Sequence, residues 1–282
     1  MPSRVTVVVM MSLLLGTHAG IFWLWLVILP TRVAKHCPEE CRCNAGGYYV
    51  DCSSSSLKEI PLILPTHVRS LLLDNNSITL LENDSFVSRG LTELENLQAD
   101  FCQIGTMELR TFNGLTKLIY LLMRGNRIEE IAQSTFEMMR GLEYLRLDYN
   151  EIERLDVDVF SGLINLQYVD LEGNKLQELH PDIFAGLPKL ESLVLGANEG
   201  LQIPTDRHFI TSLSLKILDI SHCSISSVSV ETFANVSELE WLDLRYNNLR
   251  SIDINILKLL PKLSELPLYE NPLQCDCQLK EV

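Results

Sequence analysis

LEYLRLDYNEI at residues 142–152 is followed, 24 residues further on, by LQYVDLEGNKL at residues 166–176. Both read as L-x-x-L-x-L-x-x-N, with Val169 at the fourth place of the second, followed two residues later by Ile or Leu, and the alternation through Leu145, Arg146 and Leu147 suits a short strand with one face buried. Carried outward in both directions, the same register starts at Val68, Leu94, Leu118, Leu142, Leu166, Leu190, Leu215, Leu239 and Leu263, in steps of 26, 24, 24, 24, 24, 25, 24 and 24 residues. Nine copies at so regular a step describe an array of one unit, not a single compact core. Stacked units give an α/β repeat solenoid, with a parallel β-sheet on one face and irregular or short helical segments on the other.

Two further columns support that register. The ninth position holds Asn76, Cys102, Asn126, Asn150, Asn174, Asn198, Cys223, Asn247 and Asn271. An amide both donates and accepts where backbone groups leave the strand ladder, so a buried asparagine ladder is expected, with Cys102 and Cys223 as small buried stand-ins. Ten or eleven residues later come Phe86, Phe112, Phe136, Phe160, Phe184, Phe209, Phe233 and Leu257. These predict a stacked apolar spine under the opposite face and carry no ligand. The extra residues fall near residues 88–90 and 198–204, which are read as loops.

Repeat length and residue order resemble the extracellular leucine-rich-repeat family over about residues 37–282, in the manner of Slit, the Nogo receptor, Toll ectodomains and the small leucine-rich proteoglycans. The resemblance implies a horseshoe with the parallel sheet on its concave face. It also implies that CPEECRC with Cys52 is an N-terminal cap in which Cys37 pairs with Cys43 and Cys41 with Cys52; spacing alone leaves three connectivities open. NPLQCDCQLKEV then looks like the opening of a C-terminal cap whose two further cysteines are absent, so Cys275 and Cys277 suggest a truncated chain, with linkage to another chain as the alternative. The domains expected are residues 1–34, a signal segment; 35–66, the cysteine-rich cap; 67–274, nine repeats; and 275–282, the truncated second cap.

Apolar runs at residues 5–15 and 21–29 follow Arg4, and no acid occurs before Glu39. This reads as a secretory signal, with cleavage after Ala19 or Ala34 and an uncleaved signal anchor as the alternative. Export makes the eight cysteines disulfide candidates before metal ligands, and no metal or other cofactor is expected. The 282 residues are 46% hydrophobic, too apolar for disorder, and 23 Lys and Arg against 37 Asp and Glu give a net charge of −14. Such a surface is not built to neutralise phosphates, so no nucleic-acid partner is expected.

No catalytic constellation is found. His67, His180, His208 and His222 stand at unrelated repeat positions, and Asp219, Ser221 and His222 are too close along one strand exit to make a triad. The outward strand columns are more informative. The third position reads Ser70, Asn96, Tyr120, Tyr144, Tyr168, Ser192, Ile217, Trp241 and Glu265, beside Asp148, Asp170, Glu172, Asp219 and Asp243 with Arg124, Arg146 and Arg245 in the fifth and seventh. Aromatic rows of this kind have the composition of a protein-binding hot spot, and the acids would steer a basic partner to it. The ligand face is therefore Tyr120, Tyr144, Tyr168, Trp241, Arg146, Asp148, Asp170, Asp219 and Asp243, and loss of Tyr144 and Tyr168 should abolish capture. N-glycosylation acceptors stand at Asn75, Asn83 and Asn235. The function expected is a secreted or cell-surface protein-binding scaffold in adhesion, matrix or receptor signalling. Alternatives are a fragment of a transmembrane receptor ectodomain, attached beyond Val282, and a structural matrix protein of proteoglycan type.

Overall fold

A computed structural model describes residues 37–274. The signal segment at residues 1–34 and the cysteines Cys275 and Cys277 lie outside the described residues. The chain opens on a hairpin, β1 (Arg42–Cys43) antiparallel to β2 (Tyr49–Asp51). From β2 onward every strand of the main sheet is parallel: β3 (Ser70–Leu72), β5 (Asn96–Gln98), β7 (Tyr120–Leu122), β8 (Tyr144–Arg146), β9 (Tyr168–Asp170), β10 (Ser192–Val194), β11 (Ile217–Asp219) and β12 (Trp241–Asp243). Register is kept column by column, so Tyr120 pairs with Tyr144 and Tyr144 with Tyr168. The ninth copy contributes a single bridge, Trp241 to Glu265. On the return side β4 (Leu80–Leu81) pairs with β6 (Thr106–Met107), and one helical turn, α1 (Asn255–Leu259), sits in the eighth repeat. The chain is a parallel-strand solenoid.

The core is the expected repeat core. In the first eight repeats the residues at the first, fourth and sixth positions, such as Leu142, Leu145 and Leu147, are buried, since each points into the space between sheet and return segments. Leu263, Leu266 and Leu268 of the ninth are partly buried. Phe86, Phe112, Phe136, Phe160 and Phe184 stack ring on ring at centroid spacings of 5.5–6.4 Å. Phe209 and Phe233 are buried too. The spine ends differently from the ten-residue count. Leu257 is half-buried and Ile256 takes the inward place, because α1 replaces the open turn of the other repeats and turns its neighbour inward.

The asparagine column is a ladder in the full sense. Asn150 Nδ2 donates to the carbonyls of Met123 and Leu147, both at 2.9 Å, while its Oδ1 accepts the Ile128 amide at 3.1 Å. Asn126 and Asn174 repeat the pattern. Cys102 and Cys223 fill the same place as buried free thiols directed at the carbonyls of Leu73 and Ser221. Burial pushes these thiols up to about 11 and about 12, which keeps them protonated and unreactive. At the other end of the array the cap disulfides join Cys37 to Cys43 and Cys41 to Cys52.

Candidate functional site

The parallel register turns the third position into one continuous aromatic row. Tyr120 and Tyr144 stack with centroids 4.9 Å apart and planes 16° apart, and Tyr168 follows at 6.2 Å. Tyr120 is 41% exposed. Rings held against one another on strands have little rotamer freedom left to lose when a partner lands on them. Further along the same column Ile217 and Trp241 are exposed. Tyr168 has a second job: its hydroxyl donates to Asp170 Oδ2 at 2.9 Å, and burial, with the carboxylate beside it, raises its pKa.

Three of the acids expected to form an open negative row, Asp148, Asp170 and Asp243, are instead paired within the face. Asp148 is buried and takes a bidentate grip from Arg146, at 3.2 and 3.0 Å, with Arg124 Nε at 3.3 Å from the other side. Arg146 also reaches Asp170 at 3.7 Å. Burial raises the Asp170 pKa and Asp148 adds to the rise, opposed by bonds from the Glu172 amide and the Tyr168 hydroxyl and by Arg146. Asp243 is clasped by Arg245, which also meets the Tyr269 hydroxyl. Thus Arg146, Asp148, Asp170 and Asp243 are fixed parts of the platform. Their charges cancel locally and cannot steer a partner as free acids would.

The structure also shows functional candidates in columns that the repeat pattern leaves blank. Every eighth position turns through a left-handed backbone, from Asn75 and Phe101 to Tyr246 and Glu270. There Phe101 and Tyr149 alternate with Gly125 and Gly173, and they need those glycines: a Cβ on Gly125 would lie 2.3 Å from the Phe101 ring, and one on Gly173 2.8 Å from that of Tyr149. Arg124 sits between the two rings, 4.7 Å from Tyr149 and 5.9 Å from Phe101. A second rim cluster stacks His222 on Tyr246 at 4.2 Å, with Tyr269 edge-on at 5.8 Å. The aromatic–glycine alternation at 24-residue steps was the available signal for the first cluster. As for the triad candidates, the His222 ring faces Tyr246 while Ser221 is buried with its amide bonded to Asp219; no base is set against a nucleophile.

Asp74 and Asp100 form a further uncounted pair in the seventh column. The Asp100 amide donates to Asp74 Oδ1 at 2.8 Å, and the Arg124 amide to Asp100 Oδ1 at 2.7 Å. Burial lifts Asp74 to about 6, with Asp100 and Asp51 adding to the rise against the pull of that amide bond. A carboxyl raised on folding costs stability in full above its folded pKa of about 6, and that cost shrinks as pH falls and is gone only below the ordinary value of 3.8, where both states are protonated. Asp74→Asn keeps the acceptor. It is expected to raise stability by about 1 kcal/mol near pH 7.5, a figure reduced for the half-exposed site, and to give no gain at about pH 3, read by urea denaturation at the two pH values.

The glycan acceptors differ in setting. Asn75 and Asn83 are exposed, Asn75 at the rim of the sheet beside Asp74. Asn235 is half-buried, and its Nδ2 donates to Thr211 Oγ1 at 3.2 Å. Among the described residues no helix is long and apolar enough to cross a membrane and no group of His, Cys, Asp or Glu could hold a metal ion.

Fold and face together define a repeat solenoid presenting a rigid aromatic sheet. A leucine-rich-repeat model matches residues 92–152, 140–199 and 214–273, more than half of the chain, and the chain belongs to the leucine-rich-repeat family. Leucine-rich repeat-containing protein 3B of Homo sapiens is 35% identical over 108 residues, 38% of this chain and 41% of that protein. Trophoblast glycoprotein of Macaca fascicularis is 27% identical over 250 residues, 87% of this chain and 58% of that one. The chain therefore spans less than two thirds of the length of these relatives. Among solved structures, human trophoblast glycoprotein superposes with a TM-score of 0.63 at 24% identity, covering 88% of this chain and 85% of the other. FLRT2, solved in an octameric complex with latrophilin 3 and Unc5D, gives 0.62 at 22%, covering 87% of each. TLR13, solved with a single-stranded RNA, gives 0.57 at 27%, covering 80% of this chain and 36% of that one. None of these proteins is named for a catalytic activity.

Proposed function

We propose that this chain is an extracellular or cell-surface scaffold that binds a protein ligand on its concave sheet, over Tyr120, Tyr144 and Tyr168. The observation that carries the reading is the in-register stack of those rings on β7, β8 and β9, a preformed apolar platform with polar tips. Two cap disulfides suit an oxidising compartment. That FLRT2 assembles with protein partners in its complex is in keeping with this use of the fold. TLR13 was solved with RNA, but the net charge of −14 here and the internal pairing of Arg124, Arg146 and Arg245 favour protein over a phosphate backbone.

Because Tyr168 also supports Asp170, the cleaner test pairs Tyr120 with Tyr144. The full chain is used as bait against an array of purified ectodomains, and Tyr120→Ala/Tyr144→Ala is expected to weaken capture of its ligand by about 100-fold, the scale of two hot-spot aromatics, with unchanged secretion and melting temperature. Equal capture by a folded double variant removes the concave-face reading.

A further inference from the structure

One row of the sheet is lower than its neighbours. In the sixth repeat the outward positions are Ser192, Val194, Gly196 and Ala197, so no outward side chain there is longer than valine. On one side stand Tyr168, Asp170 and Glu172, and on the other Ile217, Asp219 and His222, held in register by β9, β10 and β11. The aromatic row of repeats three to five therefore ends at a step, and a second apolar rise begins at Ile217 and Trp241.

Asp219 borders that low row and leans into it: a Cβ placed on Gly196 would lie 3.2 Å from Asp219 Oδ1. Its electrostatic situation also sets it apart. Asp148, Asp170 and Asp243 each meet an arginine. Asp219 accepts only the Ser221 amide, at 2.9 Å, and no lysine or arginine lies within ion-pair distance of it among the described residues. The nearest lysine in sequence, Lys216, is engaged by Glu191 at 2.9 Å. Around this row, then, Asp148, Asp170 and Asp243 are neutralised by arginines, Glu172 accepts the Tyr149 hydroxyl, and Asp219 keeps one oxygen unpartnered beside a gap in the side-chain relief.

We propose that the low row of the sixth repeat seats a lysine or arginine side chain of the bound protein, held by the Asp219 carboxylate, while the neighbouring backbone of the ligand rests on the tyrosine row. This rests on the concave-face reading and adds to it the chemistry of one anchor. A carboxylate without a cationic partner beside a gap in the relief selects a cation by attraction, and it penalises a carboxylate placed at the same spot.

The test uses a displayed library of random constrained peptides selected on the secreted full chain. Expected binders carry Lys or Arg at one shared position and lose about tenfold in affinity on Asp219→Asn. That change keeps the oxygen that accepts the Ser221 amide. The same binders are expected to fail on Ser192→Trp, which fills the row with a residue the column already carries at Trp241, and to weaken when their cation is changed to Gln. Binders that lose affinity on Tyr120→Ala/Tyr144→Ala but are indifferent to Asp219→Asn overturn the cation seat and leave the concave-face reading standing. Binders indifferent to all three variants overturn both, and selected peptides without a shared cation overturn the seat.

Discussion

Asn150→Ala is expected to cost this fold about 3 kcal/mol, with the loss of hydrogen-exchange protection centred on the third to fifth repeats. The estimate follows from what the amide does. Its Oδ1 holds the buried Ile128 amide, which has no other acceptor in the structure, and an orphaned buried donor costs about 1–3 kcal/mol. Its Nδ2 serves the Met123 and Leu147 carbonyls. Each of these keeps a second partner, Asn126 or Asn174, so that loss is smaller, and the vacated volume adds a cavity term. The sequence supplies an internal control. Cys102 and Cys223 occupy this position natively and direct their thiols at carbonyls. Asn150→Cys is therefore expected to restore the carbonyl contacts and part of the volume, not the acceptor for Ile128, and to cost somewhat less than alanine. Urea denaturation of the three proteins decides it; an alanine variant within about 1 kcal/mol of the parent would show that packing alone supports the repeats.

The ladder was legible in the sequence because its physical demand is local and recurs: at each strand exit only a side chain that both donates and accepts serves the groups there. The phenylalanine column was legible on similar grounds, whereas the cap pairing was legible only through the family resemblance, since spacing left three connectivities open. The charge state of the sheet was not legible. Read as outward positions, Asp148 in the seventh column and Asp170 and Asp243 in the fifth look like free acids. Neutralisation comes instead from Arg146 two residues before Asp148, Arg124 one repeat away, and Arg245 two residues after Asp243. Two of these contacts cross columns within one repeat and the third joins neighbouring repeats, so none shows when the acids are read alone. The eighth column was missed for a different reason. It has no apolar periodicity to announce it, and what decides Phe101 and Tyr149 is the space left by glycine in the next repeat. Leu257 shows the limit of counting, since one helical turn moved the buried place to Ile256.

Cys41→Ala/Cys52→Ala is expected to destabilise the N-terminal end by about 3 kcal/mol, from a bridge closing a separation of 11 residues. Position sharpens the effect. Cys52 is fully buried, its amide donates to the Leu72 carbonyl at 2.8 Å, and its own carbonyl accepts Asn76 Nδ2 at 3.0 Å. The bridge therefore ties the β1–β2 hairpin to the first repeat, and that hairpin covers Val68, Leu71 and Leu73, all buried with no repeat before them. In a stacked array each unit is stabilised mainly by its neighbours, so damage at an uncovered end should spread inward and fade with distance. Exchange protection is expected to fall first at β2 and β3 while β10 to β12 stay protected, and ligand capture at Tyr120 and Tyr144 should survive at low temperature. Cys37→Ala/Cys43→Ala, closing a separation of only 6 residues at part-exposed sites, should cost less, about 2 kcal/mol. Equal and uniform loss of protection along all strands in both variants would mean that the array melts as one cooperative block, and that the cap is a brace for the whole sheet instead of a lid for its first repeat.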